Sequence, residues 1–228
     1  MATTLYKITG PQGEPLVATS SDRWPLPRKR GRYWQAGEWT PDREPALCES
    51  GWHLLPVAGL SVHVGIGMLW EAEGRGESVG DATKTAFRRA RLLRPVGEIT
   101  HELLVLATCD WAEHVQPDPV PKESREAIAA ARAWAACPCE EHRVGADRAA
   151  YAAFAANAAA RTAAADAAFA ANAAYRTAVA AAGTDAVLLG LPTASFAANA
   201  AARSARDERT WQGERLLELV TNSTRSTP

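Results

Sequence analysis

The residues best suited to chemistry fall into a few groups. Cys48 and His53 flank Gly51 in the segment Leu47-Cys48-Glu49-Ser50-Gly51-Trp52-His53. An imidazole at the start of a strand can act as a general base or a ligand, although a histidine bonded to a nearby backbone group has the same look. Glu71 and Glu73 are spaced i, i+2, which on a strand puts both carboxylates on one face. Such pairs raise one another's pKa and can do acid–base work, and they are equally common as an inert solvated face.

Two basic clusters suggest recognition instead. Arg28, Lys29, Arg30 and Arg32 surround a Gly31 turn next to Tyr33 and Trp34, and Lys84, Arg88, Arg89, Arg91 and Arg94 form a second cluster downstream. Guanidinium groups beside aromatics suit phosphates and stacked bases. The candidate ligand-binding set is therefore Arg28, Lys29, Arg30, Arg32, Trp34, Arg88, Arg89 and Arg91. Cys137-Pro138-Cys139 is one residue shorter than the C-x-x-C of redox and zinc sites, although Glu140, Glu141 and His142 follow at once. The other potential ligands are scattered, so the segment reads as a turn carrying two thiols and no metal is assigned. There is no P-loop, G-x-G-x-x-G, G-x-S-x-G or H-E-x-x-H.

These groups must be positioned by 228 residues, enough for one or two domains. The 25 basic and 26 acidic residues leave a formal charge of −1, which excludes a strongly basic nucleic-acid binder as a whole-chain reading. Four cysteines are too few for a disulfide scaffold, and no apolar run is long enough to span a membrane. The start, MATTLYKITG, has no secretory pattern, so a cytoplasmic protein without a membrane partner is expected.

Residues 1–96 read as a β-rich domain holding five of the eight tryptophans. Leu5–Thr9, Leu16–Thr19, Trp52–Leu55 and Met68–Glu73 read as strands, and Arg32–Trp34 and Glu38–Thr40 flank an Ala36-Gly37 turn. Ala82–Arg94 fits either a strand or a short helix, and Val57–Ile66, broken by Gly59 and Gly65, has no clear pattern. Residues 97–222 read as helical, interrupted by a proline-rich linker at 116–121, with a frayed tail at 223–228. The fold class expected is α+β: a Trp-rich, mainly antiparallel β domain followed by an alanine-rich antiparallel helical bundle.

From Ala150 to Ala182, 21 of 33 residues are alanine. Phe154-Ala155-Ala156-Asn157 recurs at Phe169 and, after a break rich in glycine, at Phe196. This predicts a helical hairpin over 146–221. Alanine favours helix but adds little transfer free energy, so the tract needs partner helices or another protomer. A homo-oligomer through these helices follows as an expectation.

The order Trp24-Pro25-Leu26-Pro27, then Cys48-x-x-Gly51-x-His53, then Leu69-Trp70-Glu71-Ala72-Glu73, then Ala90-Arg91-Leu92-Leu93-Arg94 resembles an uncharacterised domain family of actinobacterial and bacteriophage proteins. Members often carry alanine-rich helical tails that end as Trp211-Gln212-Gly213-Glu214-Arg215-Leu216-Leu217 does here. The resemblance implies a fold layout and a phage or actinobacterial source, with the host cytoplasm as location if phage-encoded. It implies no activity. A looser similarity, to small ADP-ribosyltransferase-like folds, would make Tyr6, His53 and Glu73 the catalytic positions and NAD the cofactor. The first strand lacks the His or Arg followed by Gly-Thr of that pattern.

The preferred functional reading is a non-enzymatic binding module without a cofactor. Its partner would be a nucleotide, a nucleic acid or another anionic ligand held by the basic loops. The alternative is an NAD-dependent ADP-ribosyltransferase. If the repeat phenylalanines fill the gaps between alanine faces, Phe169→Ala should lower stability by about 3 kcal/mol. Denaturant unfolding of the full chain measures this, and an unchanged midpoint would remove Phe169 from any core.

Overall fold

A computed structural model describes residues 4–16, 22–114, 122–146 and 206–225. The strand expected at 16–19 lies mostly outside that set. So do the linker at 116–121 and the alanine repeats with Phe154, Phe169 and Phe196.

The chain is α+β, with a mainly antiparallel sheet in its N-terminal part and helices toward its C-terminus. It divides into two compact units, residues 1–99 with 217–228, and residues 100–216.

In the first unit, β1 (Leu5–Thr9), β4 (Trp52–Leu54), β5 (Gly67–Gly80) and β6 (Thr85–Ile99) form one antiparallel sheet in the order β1-β5-β6-β4. The ambiguous stretch from Ala82 is thus mostly strand, and the sheet runs through Ile99, three residues beyond 96. The long β5–β6 hairpin turns at Asp81, whose Oδ1 accepts the backbone N–H of Thr83 at 2.7 Å and of Lys84 at 3.0 Å. The β1–β5 register sets Lys7 opposite Trp70 and Tyr6 opposite Glu71. Alternation then sends Leu5, Lys7 and Thr9 to the face of Trp70, and Tyr6 to the face of Glu71.

The face of Trp70 is apolar. Trp24, Trp52, Leu54, Trp70, Ala72, Ala90 and Leu92 pack there as one buried cluster. Trp24 and Trp52 meet edge to face, with ring centroids 5.0 Å apart. The buried indole N–H groups find acceptors: Trp70 donates to Thr9 Oγ1 at 2.9 Å and Trp52 to the Pro41 carbonyl at 2.8 Å. The two outer strands also meet, through reciprocal backbone hydrogen bonds of 2.8 Å between Tyr6 and Leu55.

The second hairpin corrects the sequence reading. Its strands are β2 (Arg28–Arg30) and β3 (Tyr33–Gln35), and it turns at Gly31-Arg32, where Gly31 has φ +59°. Ala36-Gly37 is no hairpin turn. Residues 37–43 instead run beside β6, where the N–H groups of Gly37, Thr40 and Arg43 donate to the carbonyls of Leu92, Ala90 and Arg88. A proline-bearing segment can satisfy an edge in this intermittent way without becoming a strand. A short helix, α1 (Val57–Leu60), occupies the unpatterned stretch.

In the second unit, α2 (His101–His114) and α3 (Lys122–Ala136) share a core of Val105, Cys109, Ala112, Ala127, Ile128, Ala131 and Trp134. Asp110, on α2, accepts from Arg132 of α3 and from Arg215 of α4 (Arg206–Arg225), each at 2.6 Å. Trp111 donates its indole N–H to the Gln212 carbonyl at 3.1 Å, and His114 stacks on Trp211 at 3.8 Å.

The tail expected to fray from 223 is helical through Arg225. Ser223 and Thr224 donate their hydroxyls to carbonyls of the preceding turn, and Val220 is buried. Val220 and Thr224 lie where a side chain on Gly97 would clash, so the missing Cβ lets β6 and this last turn approach. Among the described residues no helix is long and apolar enough to cross a membrane.

Leu54 is fully buried, whereas Arg94, in its cross-strand pair with part-buried Glu71, is mostly exposed. Leu54→Ala should cost about 2–5 kcal/mol and Arg94→Ala less than about 1 kcal/mol. Urea unfolding compares the two, and similar losses would contradict the packing described.

Candidate functional site

The turn at residues 46–50 brings Cys48 beside His53. Ser50 N–H donates to the Ala46 carbonyl at 3.0 Å, and Ala46 N–H returns the bond to Ser50 at 3.2 Å. A loop this tight places Cys48 at φ +68°, a left-handed conformation that costs energy for any residue with a Cβ. In that geometry the Cys48 backbone N–H donates to His53 Nε2 at 3.2 Å. The His53 ring proton therefore sits on Nδ1.

His53 opens onto a cleft of about 750 Å³ whose lining includes Lys7, Trp24, Cys48, His63 and Lys84. Lys7 comes from the inward face of β1, and its ammonium lies 5.0 Å from the Trp24 ring centroid. Burial pushes its pKa down to about 8. Among the described residues Lys7 has no ion-pair partner. Lys84 ends the hairpin turn with Nζ 3.0 Å from Cys48 Sγ.

Both imidazoles are held below the ordinary histidine range. For His53 the main cause is burial, followed by the charges of Lys7 and Lys84, while a hydrogen bond with the Gly51 backbone pulls the other way. For His63 burial again leads, with Lys84 next and Asp81 opposing. His63 Nε2 lies 3.2 Å from Thr83 Oγ1, and that hydroxyl donates to Asp81 at 2.8 Å. Having one proton to give, the hydroxyl accepts from His63 Nε2–H. Arg43, also on the lining, is engaged by Asp22 and lies 4.8 Å over the Trp52 ring. The cleft thus gathers cationic and polar donors against aromatic walls, with the carboxylates of Glu49 and of Arg43-paired Asp22 also on its lining.

The residues expected from sequence have different fates. His53 lies in this cleft; Tyr6 and Glu73 do not line it. Tyr6 is buried on the opposite face of β1, where burial and then the Glu71 charge raise its pKa. Glu73 is paired with Arg91, and Glu71 accepts from Arg94 at 2.8 Å, so the two carboxylates serve as cross-strand partners.

The basic clusters separate as well. Arg88 is held by Asp42 at 2.7 Å and Glu77 at 3.6 Å, and Arg89 donates to the Thr40 carbonyl at 3.2 Å. Arg91 lies 4.6 Å over the Trp39 ring in addition to its Glu73 pair. The Arg28–Arg30 strand, Arg32 and Trp34 remain on the exposed β2–β3 hairpin, where Tyr33 is 79% accessible. Among the described residues these bases form no ion pair, and Arg30 donates only a long 3.4 Å bond to Gln35.

Lys7 and His63 were not singled out by sequence, and Lys84 entered only as the first member of the downstream basic cluster. The available signal was the alternation of Leu5-x-Lys7-x-Thr9, which puts a lysine in register with inward residues. Comparison with known proteins finds no matching family model, no matching curated protein and no matching solved structure.

The unfolded lysine keeps its proton to about pH 10.5, whereas folded Lys7 releases it near pH 8. Between those values the unfolded chain binds more protons, so the penalty for burying charged Lys7 fades as pH rises. Lys7→Met should therefore stabilise the protein near neutrality, by on the order of 1–3 kcal/mol, with an advantage that shrinks from pH 8 to pH 10. Urea titrations of both proteins across that range measure it; a pH-independent difference would place Lys7 in water.

Proposed function

We propose that the β-rich unit is a non-enzymatic binding module that seats a small phosphate- or carboxylate-bearing ligand of nucleotide size in the cleft between Lys7, His53, His63 and Lys84. The carrying observation is the convergence of two ammonium groups and two imidazoles in one cleft, where among the described residues Lys7 has no ion-pair partner although Asp22 and Glu49 also lie on the lining. Burying the Lys7 ammonium costs desolvation that its contact with the Trp24 indole offsets only in part, and an anionic ligand would relieve the rest. The cleft's size suits a ligand of this class. The alanine-rich tract would assemble copies as a helical bundle, and the motif order Cys48-x-x-Gly51-x-His53 followed by Leu69-Trp70-Glu71 would make the source a phage or an actinobacterium.

The exposed hairpin supports a second reading. Arg28, Lys29, Arg30 and Arg32 beside Tyr33 and Trp34 form a solvated basic and aromatic surface suited to a single strand. The transferase alternative has weaker support, because Glu73 is occupied by Arg91 and stands outside the His53 cleft.

Calorimetry at low salt with inorganic phosphate and nucleoside monophosphates tests the preferred reading. Binding should weaken about tenfold or more in Lys7→Met and in Lys84→Met, and also above pH 8 as Lys7 loses its charge. Arg30→Ala should leave it unchanged. No binding by any of these anions, or binding indifferent to both lysines, would overturn the assignment. Loss on Arg30→Ala alone would move the site to the hairpin.

A further inference from the structure

We propose that Cys137, Cys139 and His142 form a binding site for a thiophilic divalent cation, with Zn²⁺ the expected occupant. This site lies in the helical part of the chain and is independent of the anion cleft. Among the described residues it is the one group of three or more potential ligands whose donor atoms converge, all lying within 4.8 Å of one another. Cys139 Sγ is 3.4 Å from His142 Nδ1.

Tetrahedral zinc has Zn–S distances of about 2.3 Å and Zn–N distances of about 2.0–2.1 Å, which separate neighbouring donors by about 3.5–3.8 Å. The cysteine–histidine pair already has nearly that spacing. The longest separation need close by only about 1 Å, a movement that side-chain rotation about two exposed or half-buried positions can supply.

The backbone explains the convergence. Helix α3 ends at Ala136, and Cys137 N–H is tied back to the carbonyls of Ala133 and Trp134, each at 3.1 Å. Pro138 has a restricted φ, and Cys139 N–H donates back to the Cys137 carbonyl at 2.7 Å. Residues 140–146 then resume as helix, and Arg143 N–H donates to the Cys139 carbonyl at 3.0 Å. This reversal compensates for the short Cys-x-Cys spacing, since the third ligand comes from the next helical turn.

His142 Nδ1 also lies 3.0 Å from the Cys137 carbonyl. In the metal-free state that nitrogen carries the ring proton and donates it to the carbonyl. On binding, the ring proton shifts to Nε2 and Nδ1 becomes a ligand. The two thiols release their protons to solvent and bind as thiolates, so one cation displaces two protons with no change in oxidation state. Three protein ligands leave the fourth tetrahedral position to water.

The test uses the full chain, fully reduced and metal-free, titrated with Co²⁺ and then Zn²⁺ near neutral pH. One Co²⁺ per chain should bind with thiolate-to-cobalt charge-transfer absorption, which Zn²⁺ then bleaches. Cys137→Ser and Cys139→Ser should each weaken binding by about tenfold or more, as should His142→Ala, whereas Cys48→Ser should not. In the unmutated protein, Zn²⁺ should slow alkylation of Cys137 and Cys139 and leave that of Cys48 unchanged, which tests the site even if a variant fails to fold. No charge-transfer band in the reduced protein would overturn the proposal. So would a band surviving removal of both Cys137 and Cys139, or alkylation of those thiols unaffected by Zn²⁺.

Discussion

Two backbone hydrogen bonds, exchanged between Tyr6 and Leu55, hold together what the sheet order would leave apart. By strand order β1 and β4 are the outer members of the sheet; by this pair they are neighbours. The consequence is chemical as well as architectural. Lys7 follows Tyr6 directly and His53 precedes Leu55 by two residues, so the contact that joins the strands also brings an ammonium within electrostatic range of an imidazole. Each link is an ordinary amide–carbonyl bond, worth about 1 kcal/mol net. Their value lies in what they position.

Local pattern made part of this legible. Leu5–Thr9, Trp52–Leu54 and the start of β5 alternate cleanly and lie between turn residues, so they read as strands. Pro138, two residues after α3 ends at Ala136, is a stop signal of the same local kind. Ala82–Arg94 was ambiguous for a physical reason. The β5–β6 ladder has irregularities between Leu69 and Trp70, Glu71 and Ala72, and Arg75 and Ser78, and part-buried arginines at 88, 89 and 91 interrupt the apolar positions of β6. Bulges and paired charges blur the period that identifies a strand.

The candidate sites were less legible because they depend on which distant charges meet. Arg88, Arg89 and Arg91 look like a free basic patch in sequence, yet Asp42, Glu77, Thr40 and Glu73 engage them from elsewhere in the chain. Lys7 looks like a solvated strand residue until the register puts it beside Trp24. For Cys137, Cys139 and His142 the spacing alone did not show that the donor atoms converge. C-x-x-C is one solution to the problem of turning two thiols toward a common point, and a proline turn followed by a helix is another.

The segment at 37–43 also bears on how the protein avoids sticking to itself. A β-strand with unpaired N–H and C=O groups is a template for another chain, and growth along such a template is how ordered aggregates begin. On β6 the carbonyls of Arg88, Ala90 and Leu92 are already occupied by Arg43, Thr40 and Gly37. The occupying segment carries Pro41, which has no N–H to offer a newcomer. Beyond its pairing with β1, β5 interrupts its own regularity with Gly76 at φ +83° and bears the charges of Arg75 and Glu77. Templated growth is thus blocked on one strand by a cover and discouraged on the other by charge and a kink, and both devices act before any second copy arrives.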